Sequence, residues 1–391
     1  YMTEIPHYVN ALKYCKDKLN IKLDSIDGKI SFKNGQENKI ISIIEKKLKQ
    51  INIFDFIDFI LIQERNNKAI PYNYIINLSI KNIHISNFKK NDEKTFKSII
   101  ECFINFTNLY QLRSFNQWEY HFIDETNIEE KLKKQVLHSS LYSINYPLKT
   151  STVIEYINNL LTNKILDAKF EEKFGFSKNE LINFLNDMEN FTNGSNVKLI
   201  DIEVFKSWKN IVNFFTIDCK NINLNYSNPL DTSKCKNLFI HNPIIQYKNK
   251  NYLIGYKYFK INFYNALVEK VREKVNKKVT KTIGDNIDIY VEKMFQQSGF
   301  DIYSGKYKLT KKEHYECDLV IKTDDKIIFI ENKNKALTKN SYSGSSVHIL
   351  QDFIRAFANS QFQLLRHEKN ILEKKQLNFL NGKVLNYNNE R

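Results

Sequence analysis

The residues best suited to chemistry lie at the two ends of one short segment. Asp318 comes directly before the apolar run Leu319–Ile321, while Glu331 and Lys333 follow the apolar run Ile327–Ile330. Both runs are rich in β-branched residues and are separated by a polar break, a pattern that predicts a β-hairpin. The hairpin would bring its outer ends, and therefore the acidic residues and the lysine, close together.

The register of the hairpin decides which side chains meet. A turn centred within Asp324-Asp325 places Asp318 opposite Glu331 and Glu316 opposite Lys333. Because side chains alternate along a strand, all four then share one face, and directly opposed Cβ atoms lie about 4.5–5.5 Å apart. Two facing carboxylates destabilise a sheet unless a cation lies between them.

A divalent cation is the expected partner for facing carboxylates. Mg²⁺ commonly binds one or two carboxylates and completes its shell with water and phosphate oxygens, and Mn²⁺ accepts similar oxygen ligands. The alternative is a surface hairpin in which Glu316 and Lys333 form an ion pair. Apolar residues on both faces of the two strands argue against a surface hairpin, because such strands are buried on both sides. These residues are Leu319, Val320, Ile321, Ile328, Phe329 and Ile330.

Asp318, a spacer, and then Glu331-Asn332-Lys333 resemble the core motif of the PD-(D/E)XK nuclease superfamily, with Cys317 in the place of the usual proline. The resemblance implies a metal-dependent endonuclease in which Asp318 and Glu331 bind Mg²⁺ or Mn²⁺. It also implies that the backbone carbonyl of Asn332 reaches the metal and that Lys333 positions the attacking water.

The segment Gly284–Phe300 predicts a helix before the hairpin, since apolar residues repeat at helical spacing and Gly299 is a suitable terminator. Asp288 and Glu292 are four residues apart and share one face of that helix. The superfamily often carries an acidic residue on such a helix, so the resemblance implies that either of them makes a further metal contact. A solvated acidic face is the alternative for both.

The segment Val347–Leu372 predicts a long amphipathic helix after the hairpin. Gln361 is the candidate for the glutamine that the superfamily often places on this helix, and both Gln361 and Arg355 are candidate nucleic-acid contacts. The predicted apolar stripe, expected to face the core, consists of Leu350, Ile354, Phe357, Ala358, Phe362 and Leu365. With strands at Phe300–Tyr307 and Lys383–Tyr387, the order resembles the α-β-β-β-α-β core of restriction endonucleases.

The charge balance favours a polyanionic partner. The formal net charge is +15 with a pI near 9.2, which is typical of proteins that bind nucleic acid. Lys277, Lys278 and Lys281 form a basic stretch before the predicted site, and Lys335 follows the motif, so these lysines are candidate phosphate contacts. The alternatives are a solvated helix end and a general bias towards Lys, Asn and Ile.

Composition restricts the compartment and the class of protein. Five cysteines are scattered without a Cys-x-x-Cys pair, and no histidine cluster has zinc-ligand spacing. The chain lacks an apolar run long enough to span a bilayer, and its first residues lack a signal-peptide pattern. We therefore expect a cytoplasmic protein without a membrane partner.

The chain predicts an α+β or α/β protein with three parts. Residues 1–90 form a mixed region, residues 91–219 a mainly helical recognition or oligomerisation region, and residues 220–391 the nuclease-like domain. Tyr72–Ser86 alternates in the manner of a strand, whereas Ile51–Gln63 fits a helix or a strand. The other predicted helices of the first two parts are Tyr8–Leu19, Asn38–Gln50, Glu93–Leu112, Ile128–His138, Ser151–Leu161, Lys178–Phe191 and Asp201–Phe215, with N-caps at Asp92 and Ser177.

These features predict a DNA endonuclease, and the resemblance suggests a bacterial restriction or anti-phage role. Simultaneous cutting of two strands would require two copies, so a homodimer or higher homo-oligomer is expected. The alternatives are a nucleic-acid-binding or scaffolding protein that does not cleave, an RNase acting on RNA, and a helical adaptor that binds no nucleic acid.

Overall fold

The computed structural model describes residues 4–26, 29–33, 35–63, 70–87, 92–112, 124, 126–144, 147–161, 164–192, 197–200, 206–228, 238–274, 279–310, 312–333, 337–342 and 344–387. The fold mixes α-helices and β-strands, as the sequence predicts. Among the described residues, every helix is too short or too polar to cross a lipid bilayer.

The helices of the first 275 residues are α1 (Glu4–Leu19), α2 (Gln36–Leu48), α3 (Ile53–Gln63), α4 (Tyr72–Lys81), α5 (Glu93–Asn108), α6 (Ile128–Tyr142), α7 (Thr150–Leu160), α8 (Lys164–Phe174), α9 (Lys178–Phe191), α10 (Lys209–Phe215), α11 (Tyr256–Phe259) and α12 (Ile261–Lys274). The strands there are β1 (Asp24–Ile26), β2 (Lys29–Ser31), β3 (Val197–Ile200), β4 (Thr216–Asp218), β5 (Ile244–Tyr247) and β6 (Lys250–Ile254).

The remaining elements are α13 (Val279–Gln297), β7 (Asp301–Lys308), β8 (His314–Lys322), β9 (Ile327–Ile330), α14 (Lys339–Tyr342), α15 (Ser346–Phe353), α16 (Asn359–Lys374), β10 (Gln376–Phe379) and β11 (Val384–Asn386). A π-helical segment, Ile354–Ala358, joins α15 to α16, so the two helices are continuous.

Helix α4 corrects a prediction, because Tyr72–Ser86 was expected to be a strand. Tyr74, Ile76 and the other residues of its central turns are buried on every side of the helix. A helix surrounded by other elements is apolar all round, so its residue pattern does not distinguish it from a buried strand. Helix α3 packs in the same apolar cluster as α4. The prediction for Ile51–Gln63, which left helix and strand open, is therefore settled in favour of a helix.

The helices of the middle region follow the predicted periodicity. Asp92 caps α5 by accepting a hydrogen bond from the Thr95 backbone N–H. Ser177 and Glu180 form a reciprocal capping box at the start of α9, an arrangement that satisfies two otherwise unpaired N–H groups. The predicted helix Asp201–Phe215 is shorter, since a 3₁₀ turn precedes α10 and residues 201–205 lie outside the described ranges.

The first sheet has the strand order β3-β6-β5-β4 and includes a hairpin formed by β5 and β6. Side chains from its two faces enter two different apolar clusters. Ile245 and Ile254 pack with the N-terminal helices, whereas Ile244 and Leu253 pack with α7, α9 and α12. The sheet therefore forms the layer between these two helical groups.

The C-terminal sheet positions the candidate site. Its strand order is β11-β10-β7-β8-β9, and every neighbouring pair is antiparallel. Helix α13 covers one face through Val291 and Phe295, which pack on Ile302 and Leu319. Helix α16 covers the other face through Ile371. The result is three layers with the sheet in the middle, and Gly299, at φ +81°, lies in the turn between α13 and β7.

Strand β9 corrects the expectation that both hairpin strands are buried. Leu319, Val320 and Ile321 of β8 are buried, because β8 lies between β7 and β9. Strand β9 is the edge of the sheet, where Ile328 is exposed and its neighbours are partly covered. An edge strand has a partner on one side only, so its apolar run is protected less completely.

The segment from α15 to α16 reverses the predicted amphipathic pattern. Of the predicted apolar stripe, Ile354, Phe357, Phe362 and Leu365 are exposed, as are Val347 and Leu372. We call these six side chains the outer stripe. The face that packs on the rest of the protein instead buries Asp352, His367 and Asn370 together with Ile349 and Ile371. The expectation that the stripe faces the core was therefore wrong.

Candidate metal site at the end of the hairpin

The predicted hairpin and its register are confirmed. Strands β8 and β9 are antiparallel, with Leu319 opposite Ile330 and Lys322 opposite Ile327. Asp318 and Glu331 are the next residues beyond the last pair, at the open end of the ladder. The ends of the hairpin therefore bring the two carboxylates together, as the predicted register requires. The regular alternation expected between Glu316 and Asp318 is interrupted, because the β7–β8 register shifts at this point and Cys317 and Val320 pack in one apolar cluster.

Glu331 is the most enclosed carboxylate of the site. Its side chain is only 3% exposed, and its Oε1 atom accepts a hydrogen bond of 2.5 Å from Lys333 Nζ. Its Oε2 atom is buried and has no hydrogen-bond partner among the described residues. An unpaired carboxylate oxygen in the protein interior is costly unless a ligand satisfies it.

Asn332 joins the strand end to helix α13. Its backbone N–H donates to Asp318 Oδ2 at 2.8 Å, and its side-chain amide donates to Asp288 Oδ1 at 3.0 Å. Asp288 is thus the helix acid that belongs to the site. Within the described residues Glu292, one turn later, makes no hydrogen bond or ion pair. The two sequence candidates are therefore separated by geometry.

The electrostatics of the cluster disfavour its negative charge. Burial raises the pKa of Asp318 above its usual value, and the neighbouring Glu331 and Glu316 carboxylates raise it further, against the lowering effect of the Asn332 N–H and of Lys333. Burial likewise raises the pKa of Asp288, with further contributions from Asp318 and Glu316. A cation between these groups would reverse both shifts, since it favours the ionised forms.

Lys333 is fixed by two partners. Besides its ion pair with Glu331, its Nζ donates to Gln363 Oε1 at 3.2 Å. The ion pair with Glu316 that the alternative interpretation required is replaced by the pair with Glu331. Gln363, on the inner face of α16, contacts Lys333, whereas Gln361, the predicted glutamine, is exposed. The two residues are only two positions apart, so sequence alone could not tell which one faces the sheet.

A buried polar network holds α16 against the sheet and thereby positions Gln363. Tyr307 of β7 and His367 Nδ1 form a hydrogen bond of 2.7 Å, and Asn370 donates to the Tyr307 hydroxyl at 2.9 Å. The His367 ring stacks on Phe329 of β9. Burial lowers the pKa of His367 to about 4, so the ring is neutral near pH 7. The sequence signal for this face was the spacing of Gln363, His367 and Asn370, which recur every three or four residues.

The other candidate residues are less closely tied to the site. Lys281, in the first turn of α13, and Arg355, in the π segment, are both exposed. Lys277, Lys278 and Lys335 lie outside the described residues. The phosphate contacts expected of the four lysines and of Arg355 remain predictions. The metal contact expected of the Asn332 backbone carbonyl also remains a prediction.

The oxygen ligands available at the site suit a cation that keeps several of its bound water molecules. In the described part of the chain, no three His, Cys, Asp or Glu side chains stand close enough to hold a metal ion by themselves. Two facing carboxylates, with water and phosphate oxygens completing the shell, are nevertheless a common arrangement for Mg²⁺. The unpaired Glu331 Oε2 and the free oxygen of Asp318 fit this requirement.

Comparison of the chain with protein-family models, with curated proteins and with solved structures finds no match.

Proposed function

We propose that this protein is a metal-dependent endonuclease that hydrolyses phosphodiester bonds of DNA. In this proposal the C-terminal sheet with α13 and α16 corresponds to the PD-(D/E)XK core. Asp318 and Glu331 would hold Mg²⁺ or Mn²⁺, with Asp288 behind them. The observation that carries the proposal is the buried Glu331 Oε2 atom without a partner, next to a second carboxylate of raised pKa.

The chemistry requires a nucleophile and stabilisation of a charged phosphate. A bound divalent cation would generate a nucleophile from water near neutral pH and offset negative charge on the phosphate. The ammonium of Lys333, held between Glu331 and Gln363, lies where it can orient that water or stabilise the developing negative charge. The network of Tyr307, His367 and Asn370 would keep this arrangement in place.

The charge of the chain supports a nucleic-acid substrate. A net charge of +15 attracts a polyanion, and the exposed Lys281 lies on the helix that also carries Asp288. A role in bacterial restriction or anti-phage defence is part of the proposal by resemblance to the superfamily. The activity is expected to occur on DNA, and substrate comparison would show whether RNA is cleaved instead.

The direct test is incubation of plasmid DNA with Mg²⁺ or Mn²⁺, with EDTA as the metal-free control. The wild-type protein should nick or cut the plasmid, and EDTA should abolish the reaction. Lys333→Ala, Asp318→Ala and Glu331→Ala should each lose cleavage while the circular dichroism spectrum persists. Cleavage that survives in all three variants would overturn the assignment. Salt-sensitive DNA binding without metal-dependent cleavage would instead support a non-cleaving binding protein.

A further inference from the structure

The outer stripe is an apolar surface on a helix whose other face is already packed. Phe357 and Phe362 are 64% and 65% exposed, and Val347, Ile354, Leu365 and Leu372 extend the surface in both directions. Isolated exposed apolar residues are normal, but a continuous row of them marks an interaction site. The inward face of the same helices is occupied by the site and by the sheet.

The spacing of the outer stripe is symmetric. Successive members are seven, three, five, three and seven residues apart, so the row reads the same from either end. Its centre lies between Asn359 and Ser360. The π segment ends at Ala358, so the central spacing of five lies mostly in the α-helix that follows it. Five residues make about 1.4 turns of an α-helix, and Phe357 and Phe362 therefore flank the line of the other four residues on its two sides.

We propose that the outer stripe is the interface of a two-fold homodimer, formed by antiparallel packing of this helix on the same helix of a second copy. A two-fold interface requires that residue i contacts residue j while j contacts i. The symmetric spacing meets this requirement along its whole length. Ile354 would face the partner subunit's Leu365, and Val347 would face the partner subunit's Leu372. Phe357 and the partner subunit's Phe362 would lie at the same height and cover the two edges of the contact.

The polar residues beside the stripe are compatible with this pairing. Symmetry about the same centre places Arg355 opposite the partner subunit's Leu364 and Lys369 opposite the partner subunit's Leu350. No two like charges of the helix are then directly opposed. Arg355 lies one turn from the partner subunit's Glu368, close enough for an ion pair between copies. A parallel arrangement would instead place every charged residue beside the same residue of the partner subunit, so that like charges would be opposed.

The size of the surface is adequate for a dimer. A phenylalanine buries about 150–250 Å² when fully covered. Covering the outer stripe and its polar borders on both copies would bury roughly 1,200 Å², the lower end of the range for specific interfaces. The dimer would also place Gln361 and Arg355 at a protein contact, which is a different role from the DNA contact expected from the sequence.

The inference is tested by oligomeric state, which needs no catalytic activity, so its failure would leave the proposed nuclease standing. The full-length wild-type protein should sediment as a dimer, and Phe357→Asp should sediment as a monomer. Leu380→Asp changes an equally exposed apolar residue in the turn between β10 and β11, and it should remain dimeric. A wild-type monomer, or a dimeric Phe357→Asp protein, would overturn the interface.

A cross-linking measurement covers the case in which Phe357→Asp fails to fold. In a Cys235→Ser background, Gln361→Cys lies near the two-fold axis and should be joined to its symmetry mate by a short bismaleimide. Glu368→Cys lies far from the axis and should not be joined. Equal cross-linking of both variants, or of neither, would contradict the antiparallel geometry. If the wild-type protein is itself a monomer and Phe357→Asp loses plasmid binding, the stripe is assigned to nucleic acid and the dimer is rejected.

Discussion

The helical group of α7, α9 and α12, in the middle of the chain, and the C-terminal sheet each contain a lysine–glutamate pair with one buried partner, but the two pairs differ in what surrounds them. In the helical group Lys260, directly before α12, is the buried member, 4% exposed, and Glu189 of α9 is half-exposed at 51%. Lys260 Nζ donates to Glu189 Oε2 at 2.6 Å and to Thr150 Oγ1 at 3.0 Å. Its charge and its hydrogen bonds are satisfied within the chain.

At the C-terminal sheet the burial is reversed, since Glu331 is enclosed and Lys333 is one-third exposed. Here one lysine stands among several carboxylates, namely Glu331, Asp318, Asp288 and Glu316. The surplus of negative charge, and the Glu331 Oε2 atom that has no hydrogen-bond partner among the described residues, support the proposed binding of a cation in this region. A buried ion pair is therefore informative about function only when its surroundings are considered.

The largest effect on activity is expected from a change in the Glu331–Lys333 pair of the C-terminal sheet. Glu331→Gln keeps the shape of the side chain but removes the charge needed to hold a cation. We expect plasmid cleavage to fall by about a hundredfold to a thousandfold, with the free energy of unfolding maintained. Cleavage rates and chemical denaturation would be measured together. A Glu331→Gln protein with near wild-type cleavage would show that the two pairs do not differ in function.

The opposite outcome is expected at the middle pair. Glu189→Gln leaves the buried Lys260 ammonium without a counter-charge, which should lower the free energy of unfolding by about 1–2 kcal/mol, less than for a fully buried pair because solvent screens the half-exposed Glu189. Cleavage by the folded fraction should stay unchanged. Urea denaturation followed by circular dichroism measures the first quantity, and plasmid cleavage at low temperature measures the second. A stability equal to that of the wild type would mean that the pair contributes little.

A smaller effect should distinguish the two glutamines of α16. Gln363→Ala removes the second partner of Lys333 and should lower cleavage by about tenfold, as is typical for groups that orient residues of a metal site. Gln361→Ala is the matched control and should leave the rate constant of cleavage unchanged. Comparable losses in both variants, or a loss confined to Gln361→Ala, would contradict the contact between Lys333 and Gln363.

The smallest effect concerns stability in the absence of metal. Because the fold raises the pKa of Asp318 and Asp288 above 3.8, their contribution to stability is greatest below that pH and is lost as the pH rises through the raised values. Asp318→Asn should therefore raise the Tm near pH 7 in EDTA by on the order of 2 °C, with little difference near pH 4. Mg²⁺ should raise the Tm of the wild type but not of Asp318→Asn. A lower Tm for Asp318→Asn in EDTA would contradict the predicted repulsion.

The hairpin was predictable because two independent sequence signals agreed. The apolar runs defined the strands, and the polar break fixed the turn, so the pairing register placed Asp318 opposite Glu331, directly beyond the last pair of the ladder. Likewise, Asp92 and Ser177 were found as caps because capping depends on local spacing. The elements that could be predicted are those whose stabilising contacts lie close together in the sequence.

The errors arose where distant packing decides the outcome. Helix α4 was predicted as a strand because its burial on all sides depends on elements far away in the sequence. On α16 the sequence showed an apolar row and a polar row, and hydrophobicity alone assigned the apolar row to the core. The structure buries His367 and Asn370 instead, because Tyr307 supplies their hydrogen-bond partner from β7.

The hydrogen bonds of the three acids also restrict which ion the site accepts. One oxygen of each is already engaged: Asp318 Oδ2 and Asp288 Oδ1 by Asn332, and Glu331 Oε1 by Lys333. Each carboxylate therefore keeps one oxygen with both lone pairs available, and an ion chelated by both oxygens of one side chain would share the second oxygen with a hydrogen-bond donor. Calcium favours six to eight oxygens and often chelates carboxylates in that manner, whereas magnesium takes six ligands in a tight octahedron. In the proposed site Asn332 and Lys333 would therefore favour the smaller ion, and Ca²⁺ should be a poor substitute for Mg²⁺.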